Sequence, residues 1–290
     1  MDEEILRKLD KRLADGDISE DTYKKIKARY EKKETIDQDE FDDEEEIETD
    51  EETIDTKGKA KKVSLSGASK ASDINCQSFS SSGASKVEGY LKADTARISG
   101  ATKVEGDAFL GELVSSGSFK VEGNTEADEM ELSGASKFEG NVKTKKIKSK
   151  GSSKFEGDVE ADEFSSFGAL KMESSVTAKT FTASGAFKIE DTLKADEIML
   201  KPGGDCSINH IKGGDILVES GGSGIFSMFK KGTLKSKDIN GDKIYLENTR
   251  AEIVEGDEVK IGPGCKIDKV KAKNLKVHES SSVGSKQELN

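Results

Sequence analysis

The chain is poor in the residues on which many globular folds and cofactor sites depend. It has no Trp, two Pro, three Cys and two His in 290 residues, and only 32% of it is hydrophobic. Widely separated cysteines, odd in number, cannot form a disulfide framework and favour reduced thiols in a cytoplasmic protein. No stretch approaches the ~18 consecutive apolar residues of a membrane-spanning helix. We therefore expect a soluble, cytoplasmic chain that is partly disordered or has a thin, repetitive core.

Negative charge is concentrated in one segment. The formal net charge is −12, but residues 37–55 hold 13 Asp or Glu and no Lys or Arg, so the remainder carries −12 + 13 = +1. Such a remainder lacks the basic stripe that neutralises nucleic-acid phosphates, and we expect no nucleic acid as partner. Residues 34–62 are predicted to form an acidic disordered linker. We interpret this linker as a solvated spacer rather than as a tail that docks a basic partner.

A small helical hairpin is predicted ahead of this linker, over residues 1–33. Apolar residues recur there at helical spacing on both sides of Gly16, which marks the turn. The segment resembles the short helical module known as SHOCT, and this resemblance implies a role in assembly or targeting. It rests on three short motifs, Leu6-Arg7-Lys8-Leu9, Gly16-Asp17-Ile18-Ser19 and Thr22-Tyr23-Lys24-Lys25.

A repeat of 17 residues organises the chain from residue 64 onward. Glycines recur at one spacing of 16 residues and then six of 17, and a Lys follows each by three positions. The glycines are Gly67, Gly83, Gly100, Gly117, Gly134, Gly151, Gly168 and Gly185. Apolar and polar residues alternate between these glycines, which is typical of strands. Three short strands with tight corners would use one repeat, so each repeat is interpreted as one winding.

Stacked windings of this kind predict an all-β fold, a parallel β-helix over residues 63–277. At 17 residues each, that range gives about 12 windings, and ~4.8 Å per layer gives a rod of roughly 60 Å. Phe138 is expected to stack on Phe155, and Phe164 on Phe181. Residues 213–224 are predicted to form a distorted loop, and residues 278–290 a disordered tail.

Two charged columns are predicted to point outward as parallel ladders. Their core members are Lys86, Lys103, Lys120, Lys137 and Lys154, with Glu88, Glu105, Glu122, Glu139 and Glu156. Each Lys stands two positions before a Glu, so both lie on one side of the strand. A solvated face is favoured over a lateral contact or an anionic-lipid surface, because exposed ion pairs contribute little energy.

Catalytic and cofactor motifs are absent from the sequence. His210 and His278 lie in no nucleophile motif and cannot form a zinc site with the scattered cysteines. The stretch Gly221-Gly222-Ser223-Gly224 lacks the Lys-[Ser/Thr] of a phosphate loop. We expect no enzyme, no cofactor, no metal and no nucleotide; a polysaccharide-cleaving β-helix is the enzyme alternative, disfavoured by the absence of Trp.

The repeat resembles the bactofilins, polymer-forming cytoskeletal proteins. The resemblance rests on segments such as Gly83-Ala84-Ser85-Lys86-Val87-Glu88-Gly89 and Phe155-Glu156-Gly157-Asp158-Val159-Glu160-Ala161-Asp162-Glu163. It implies a right-handed β-helix whose rods join end to end, without nucleotide, into non-polar filaments that scaffold other proteins, often at a membrane. The alternative is a β-helical binding module or adhesin-like repeat protein that does not polymerise.

The last winding is a candidate polymerisation interface. Ile267, Val270, Leu275 and Val277 alternate with lysines there, and no cap is evident after them. We hypothesise that they form one self-associating face. Two like ends meeting would give filaments without polarity.

Overall fold

The computed structural model describes residues 59–220 and 232–289, together with the backbone of residues 46–49. The predicted helical hairpin at 1–33, most of the predicted linker at 34–62 and the glycine-rich stretch at 221–224 lie outside the described residues. Every strand pairing is parallel, and the described part of the chain forms an all-β solenoid of about 13 turns without a helix.

Twenty strands make up the stack. They are β1 Glu46–Thr49, β2 Ala60–Leu65, β3 Ala68–Ala71, β4 Ile74–Ser81, β5 Ala84–Val87, β6 Leu91–Ile98, β7 Ala101–Val104, β8 Ala108–Ser115, β9 Ser118–Val121, β10 Thr125–Leu132, β11 Ala135–Phe138, β12 Val142–Ser149, β13 Ser152–Phe155, β14 Val159–Met172, β15 Val176–Pro202, β16 Asp205–Val218, β17 Thr233–Leu246, β18 Thr249–Ile261, β19 Lys266–Val277 and β20 Ser282–Glu288.

Each winding has three faces. In the winding of β5 and β6, the four-residue strand β5 forms the first face, and the eight-residue strand β6 forms the other two. Inward and outward positions alternate along β6 but reset at Asp94 and Thr95, which both point outward. This reset places a corner between the second face (91–94) and the third face (95–98), so six side chains per winding point inward.

The inward columns form one narrow continuous core, as the repeat predicts. Phe138 and Phe155 are fully buried and stack with ring centroids 5.1 Å apart. Phe164 and Phe181 stack in the same way at 4.9 Å. Both predicted aromatic stacks are confirmed, and the small number of inward positions explains how a chain of 32% hydrophobic residues encloses a core.

Glycine is required at the corner before the first face because successive windings approach closely there. A Cβ added to Gly134 would lie 1.9 Å from the carbonyl oxygen of Gly117, far inside van der Waals contact. The corner glycines therefore repeat with the windings because any side chain would push adjacent layers apart.

A seam of hydroxyl groups runs inside the same corner. The Thr102 hydroxyl donates to Ser81 Oγ at 2.8 Å, and Ser149 and Ser153 share a hydrogen bond of 2.8 Å. Among the described residues, the buried hydroxyls of Ser115 and Ser166 have no partner. The core is therefore partly polar, and its hydrogen bonding is incomplete.

Both ends of the stack extend beyond the predicted range of 63–277. Glu46–Thr49, inside the segment predicted to be a disordered linker, pairs with β2, which itself begins at Ala60. The segment predicted to be a disordered tail contains β20, which pairs with β19. These strands raise the count from the predicted 12 windings to about 13 turns. Residues 213–218, predicted as part of a distorted loop, belong to β16.

Candidate assembly surfaces

A ladder of ion pairs covers the first face. The Lys120 ammonium lies 2.6 Å from Glu122 in its own winding and 3.1 Å from Glu139 in the next. The same double contact recurs in register at the predicted ladder residues Lys86, Lys103, Lys137 and Lys154 with Glu88, Glu105, Glu122, Glu139, Glu156 and Glu173. The sequence identifies both columns but not the second contact, which links neighbouring windings.

The ladder ends at a break in register. Lys188 contacts Glu190 at 2.9 Å, and the next residue in its column is Ser207. Between Ile189 and Thr192 the pairing of β15 with β16 shifts. The ladder therefore runs from Lys70 to Glu190 and does not reach the C-terminal windings.

Mutual neutralisation dominates the electrostatics of this face. Hydrogen bonds from Lys171 and then Lys154 lower the pKa of Glu173 to about 2. Hydrogen bonds to Glu122 and Glu139 raise the pKa of Lys120. Because ammonium and carboxylate groups alternate at contact distance, little net charge is left to attract an anionic lipid surface. This arrangement supports the solvated face. Within the parts of the chain that are described, no helix has the length and hydropathy to cross a bilayer.

An apolar stripe lies on the third face of the C-terminal windings, and the sequence interpretation missed it. Met199, Leu217 and Tyr245 follow one another in one outward column, beside a groove of about 790 Å³. Met199 is 40% exposed. The Lys260 ammonium lies 5.1 Å from the Tyr245 ring centroid, and the Tyr245 hydroxyl donates to Glu247 at 2.6 Å. This hydrogen bond, with burial, raises the pKa of Tyr245 to about 12.

The imidazoles and thiols lie apart from one another. His210 Nδ1 contacts Asp238 Oδ2, and His278 Nδ1 lies 2.9 Å from Ser280 Oγ. Cys76, Cys206 and Cys265 are buried and unpaired, and burial raises the pKa of each thiol, to about 12 at Cys76. In the described ranges, no three His, Cys, Asp or Glu residues form a group suited to a metal ion.

The C-terminal end differs from the interface predicted there. Ile267 and Val270 are buried beneath β20, where they pair with Val283 and Lys286, so neither can form an end face. Leu275 and Val277 are only partly buried. They pair with β18 on one side and, among the described residues, with no strand on the other. Only the third-face part of the predicted interface is therefore open.

β20 covers the first face with Val283, which pairs with Ile267, and caps the second face with charged residues. Lys286 and Glu288 occupy the columns that Val270 and Ala272 fill one winding earlier. Charged side chains at inward positions prevent another apolar layer from packing there, a common protection of exposed strand edges. The expectation that no cap follows the last winding is therefore wrong for the second face. The sequence gives no signal for β20 because the strand lacks the apolar alternation of the repeat.

The N-terminal end carries a matching edge on the third face. β1 pairs with β2 through Ile47 opposite Val63 and Thr49 opposite Leu65. Its opposite edge has no partner strand among the described residues. This edge strand comes from the most acidic part of the chain, which sequence reasoning assigned to a spacer.

Comparison with known families and proteins gives two matches. A family model described as "Bactofilin: Polymer-forming cytoskeletal" matches residues 71–160, which is less than half of the chain and supports the bactofilin resemblance for these windings. A 70-residue segment is 44% identical to the uncharacterized protein YhbF of Bacillus subtilis (strain 168), covering 23% of this chain and 29% of that protein's length. No solved structure matches. The family match contains the ladder residues from Lys86 to Glu156, and both ends of the stack lie outside it.

Proposed function

We propose that this chain is a non-enzymatic scaffold protein that assembles into filaments by end-to-end stacking of its β-helices, without nucleotide. The observation that carries the proposal is a pair of third-face strand edges, one at each end of a single continuous stack, that have no partner strand among the described residues. Unpaired edges of this kind are templates for pairing with another chain. The match to a polymer-forming family supports the same reading.

The partner that follows from this proposal is a second copy of the chain, in the cytoplasm. Three unpaired, buried thiols support a reducing compartment. The neutral ladder gives no support to a lipid surface as a further partner, so the scaffold's membrane contact and the proteins it recruits rest on the bactofilin resemblance alone.

Negative-stain microscopy of the purified full-length protein, with and without added ATP or GTP, tests the proposal. We expect filaments of equal abundance in all samples, built from units of roughly 60 Å because about 13 turns are stacked at ~4.8 Å each. Isolated rods at every protein concentration would overturn it. Filaments that require nucleotide would also contradict it.

A binding module that does not polymerise is the second candidate, and the third-face stripe favours it. Exposed Met199 beside Tyr245 offers apolar contact area within a groove. If only isolated rods form, Met199→Glu should abolish capture of the groove's partner while leaving the rod folded. If filaments form, the same variant should assemble normally, because Met199 itself lies several windings from either end of the stack.

A further inference from the structure

We infer that the third-face groove binds an amphipathic helix of a partner protein. The helix lies along the rod, with its basic end over Glu197 and Asp215 and its acidic end over Lys260 and Lys276. This inference goes beyond the proposed assembly and names the chemistry of the partner that the second candidate function leaves open. It requires a folded rod but no filament, because the groove lies on the side of the stack.

The third-face stripe is a local exchange of polar for apolar side chains. The windings before it have charged or hydroxyl side chains in the same outward column, at Glu131, Lys148, Ser165 and Thr182. The next three members are Met199, Leu217 and Tyr245. Apolar side chains in three consecutive layers form a patch, and exposed patches of this kind mark interaction sites. The stripe lies outside the family match, which ends at residue 160, so it is a feature of this chain beyond the matched windings.

The groove has the dimensions of a helix of about four turns. Its outward columns run through six layers, from Thr180 to Asn274, which at ~4.8 Å per layer span about 24 Å, the length of ~16 helical residues. The third face is four residues wide, or about 13 Å, and a helix with its side chains is ~10–12 Å across. Members of the stripe are one layer apart, which is close to the ~4.5–6 Å between helical positions three or four residues apart. A helix therefore brings one side chain to each layer.

A helix suits this surface better than an extended peptide does. The strands beneath the groove are paired on both sides, β16 with β15 and β17, and β18 with β17 and β19. An extended peptide on the face of such a sheet finds no free backbone donors or acceptors, so its own backbone groups gain no partners there. A helix forms its backbone hydrogen bonds internally and binds through side chains alone.

Charge sets the direction of the helix. Glu197 and Asp215 are exposed beside the stripe at one end of the groove, and Lys260 and Lys276 are exposed at the other. Helices generally carry acids in the first turn and bases in the last, because the backbone dipole favours them there. A helix whose N-terminus lies over the two lysines therefore meets opposite charge at both ends. The reverse direction places like charges together at both ends, which costs free energy.

The charged side chains along the groove are available to a partner. Farther back in the same outward column, Lys146 and Glu163 form an ion pair at 3.2 Å. Asp215, Lys243 and Glu258 also follow one another in this column, but among the described residues no ion pair joins them. Unpaired charges beside an apolar stripe favour a partner that supplies opposite charges. The carboxylates also repel anionic headgroups, which makes a lipid surface the poorer occupant.

Selection from a displayed library of random peptides of about 16 residues, with the full-length chain as bait, tests the inference. Peptides that bind the chain but not its Met199→Glu variant should have apolar residues at i, i+4 and i+7, acids near the first position and bases near the last. Phe109→Glu is the matched control, because Phe109 is 39% exposed against 40% for Met199 and lies outside the groove. In fluorescence anisotropy, Met199→Glu should weaken a selected peptide by about tenfold or more, and Phe109→Glu should leave its affinity unchanged. Circular dichroism should show that both variants fold.

Charge reversal on both partners tests the direction. Asp215→Lys should weaken a selected peptide by about five- to tenfold. The same peptide with Glu in place of its last-turn bases should bind this variant well and the original chain poorly. Weakening without this rescue would overturn the assigned direction.

Four other outcomes would overturn the inference. Selected peptides with strict alternation of apolar residues would exclude a helix, and peptides that bind both glutamate variants equally would exclude the groove. Peptides that bind only after deletion of residues 221–231, which lie outside the described residues, would identify the occupant as this chain's own segment. Phosphatidylglycerol vesicles that bind the original chain but not Met199→Glu would identify a lipid surface. Filaments are scored separately by electron microscopy; their loss in Met199→Glu would identify a second copy as the occupant, whereas their absence in the original chain overturns only the proposed assembly.

Discussion

The rings of Phe138 and Phe155 lie parallel within 10° in consecutive windings, at a centroid distance of 5.1 Å. Both side chains are fully buried, and their residues are direct partners in the pairing of β11 with β13. Because each winding contacts only the windings beside it, a lost ring leaves a space that distant layers cannot fill.

Replacing one of these phenylalanines by a smaller residue should therefore destabilise the rod markedly. We expect Phe155→Ala to lower the free energy of unfolding by about 3–5 kcal/mol, measured by urea denaturation with circular dichroism. Phe155→Asp should cost more, because it buries an unpaired charge. Phe109, which is 39% exposed, provides the control. Equal midpoints for Phe155→Ala and Phe109→Ala would show that the assigned inward column is wrong.

The hydroxyl seam predicts opposite effects for two similar substitutions. Ser166→Ala removes a buried hydroxyl that has no partner in the described residues and should raise the free energy of unfolding by about 1 kcal/mol. Ser149→Ala removes the partner of Ser153 and should lower it by about 1 kcal/mol. Thermal denaturation of both variants checks the prediction, which fails if the two melting temperatures move in the same direction.

The corner glycines predict that the stability cost of a Gly→Ala substitution depends strictly on which glycine is replaced. Gly134→Ala should destabilise the rod by about 1–3 kcal/mol because the new methyl group forces two layers apart. Gly204→Ala is the matched control, since no atom lies within 4 Å of its added Cβ. We expect its stability to stay within about 0.5 kcal/mol of the original. Comparable losses at the two sites would contradict the steric explanation.

The ladder predicts a loss of stability in acid. Lysine hydrogen bonds lower the pKa of Glu139 and Glu173 in the folded chain, from an ordinary 4.5 to about 2 at Glu173. A carboxylate with a lowered folded pKa binds its proton more readily when unfolded, so its contribution is present above pH 4.5 and is lost as pH falls toward 2. Melting temperatures between pH 6 and pH 2 should fall over this window. The fall should be shallower in Glu139→Gln; an identical profile would show that the ladder does not contribute.

The windings could be predicted from the sequence because one repeat is one layer. The spacing of Gly117 and Gly134 gives the length of a layer, and alternation around Phe155 gives its inward positions. The double contacts of Lys120 could not be predicted, because they depend on how a long side chain turns toward the next layer. The sequence therefore predicts the Lys and Glu columns but not the ion pairs that link neighbouring windings.

The strands at the two ends of the stack could not be predicted, because neither strand has the apolar composition of the core windings. Glu46–Thr49 has acids at alternate positions, and its pairing depends on the neighbouring strand rather than on its own hydrophobicity. β20 places Lys286 where the repeat requires an apolar residue. The third-face stripe at Leu217 was missed for another reason, since the spacing of the repeat changes after residue 200 and the outward columns can no longer be followed by counting.

The shift of register between Ile189 and Thr192 bears on how a filament of such rods would respond to tension. Hydrogen bonds between windings run along the rod, so a pull along its axis is shared by all the bonds of one layer, while each layer in the series bears the full force. A stack of layers loaded in this way separates first at its weakest interface between layers. The layer between β15 and β16 lacks paired backbone at the shift and lies where the ion-pair ladder stops. We expect a pulled rod to fracture there, into an N-terminal part bound by the ladder and a C-terminal part, with the groove divided between Met199 on one part and Leu217 on the other.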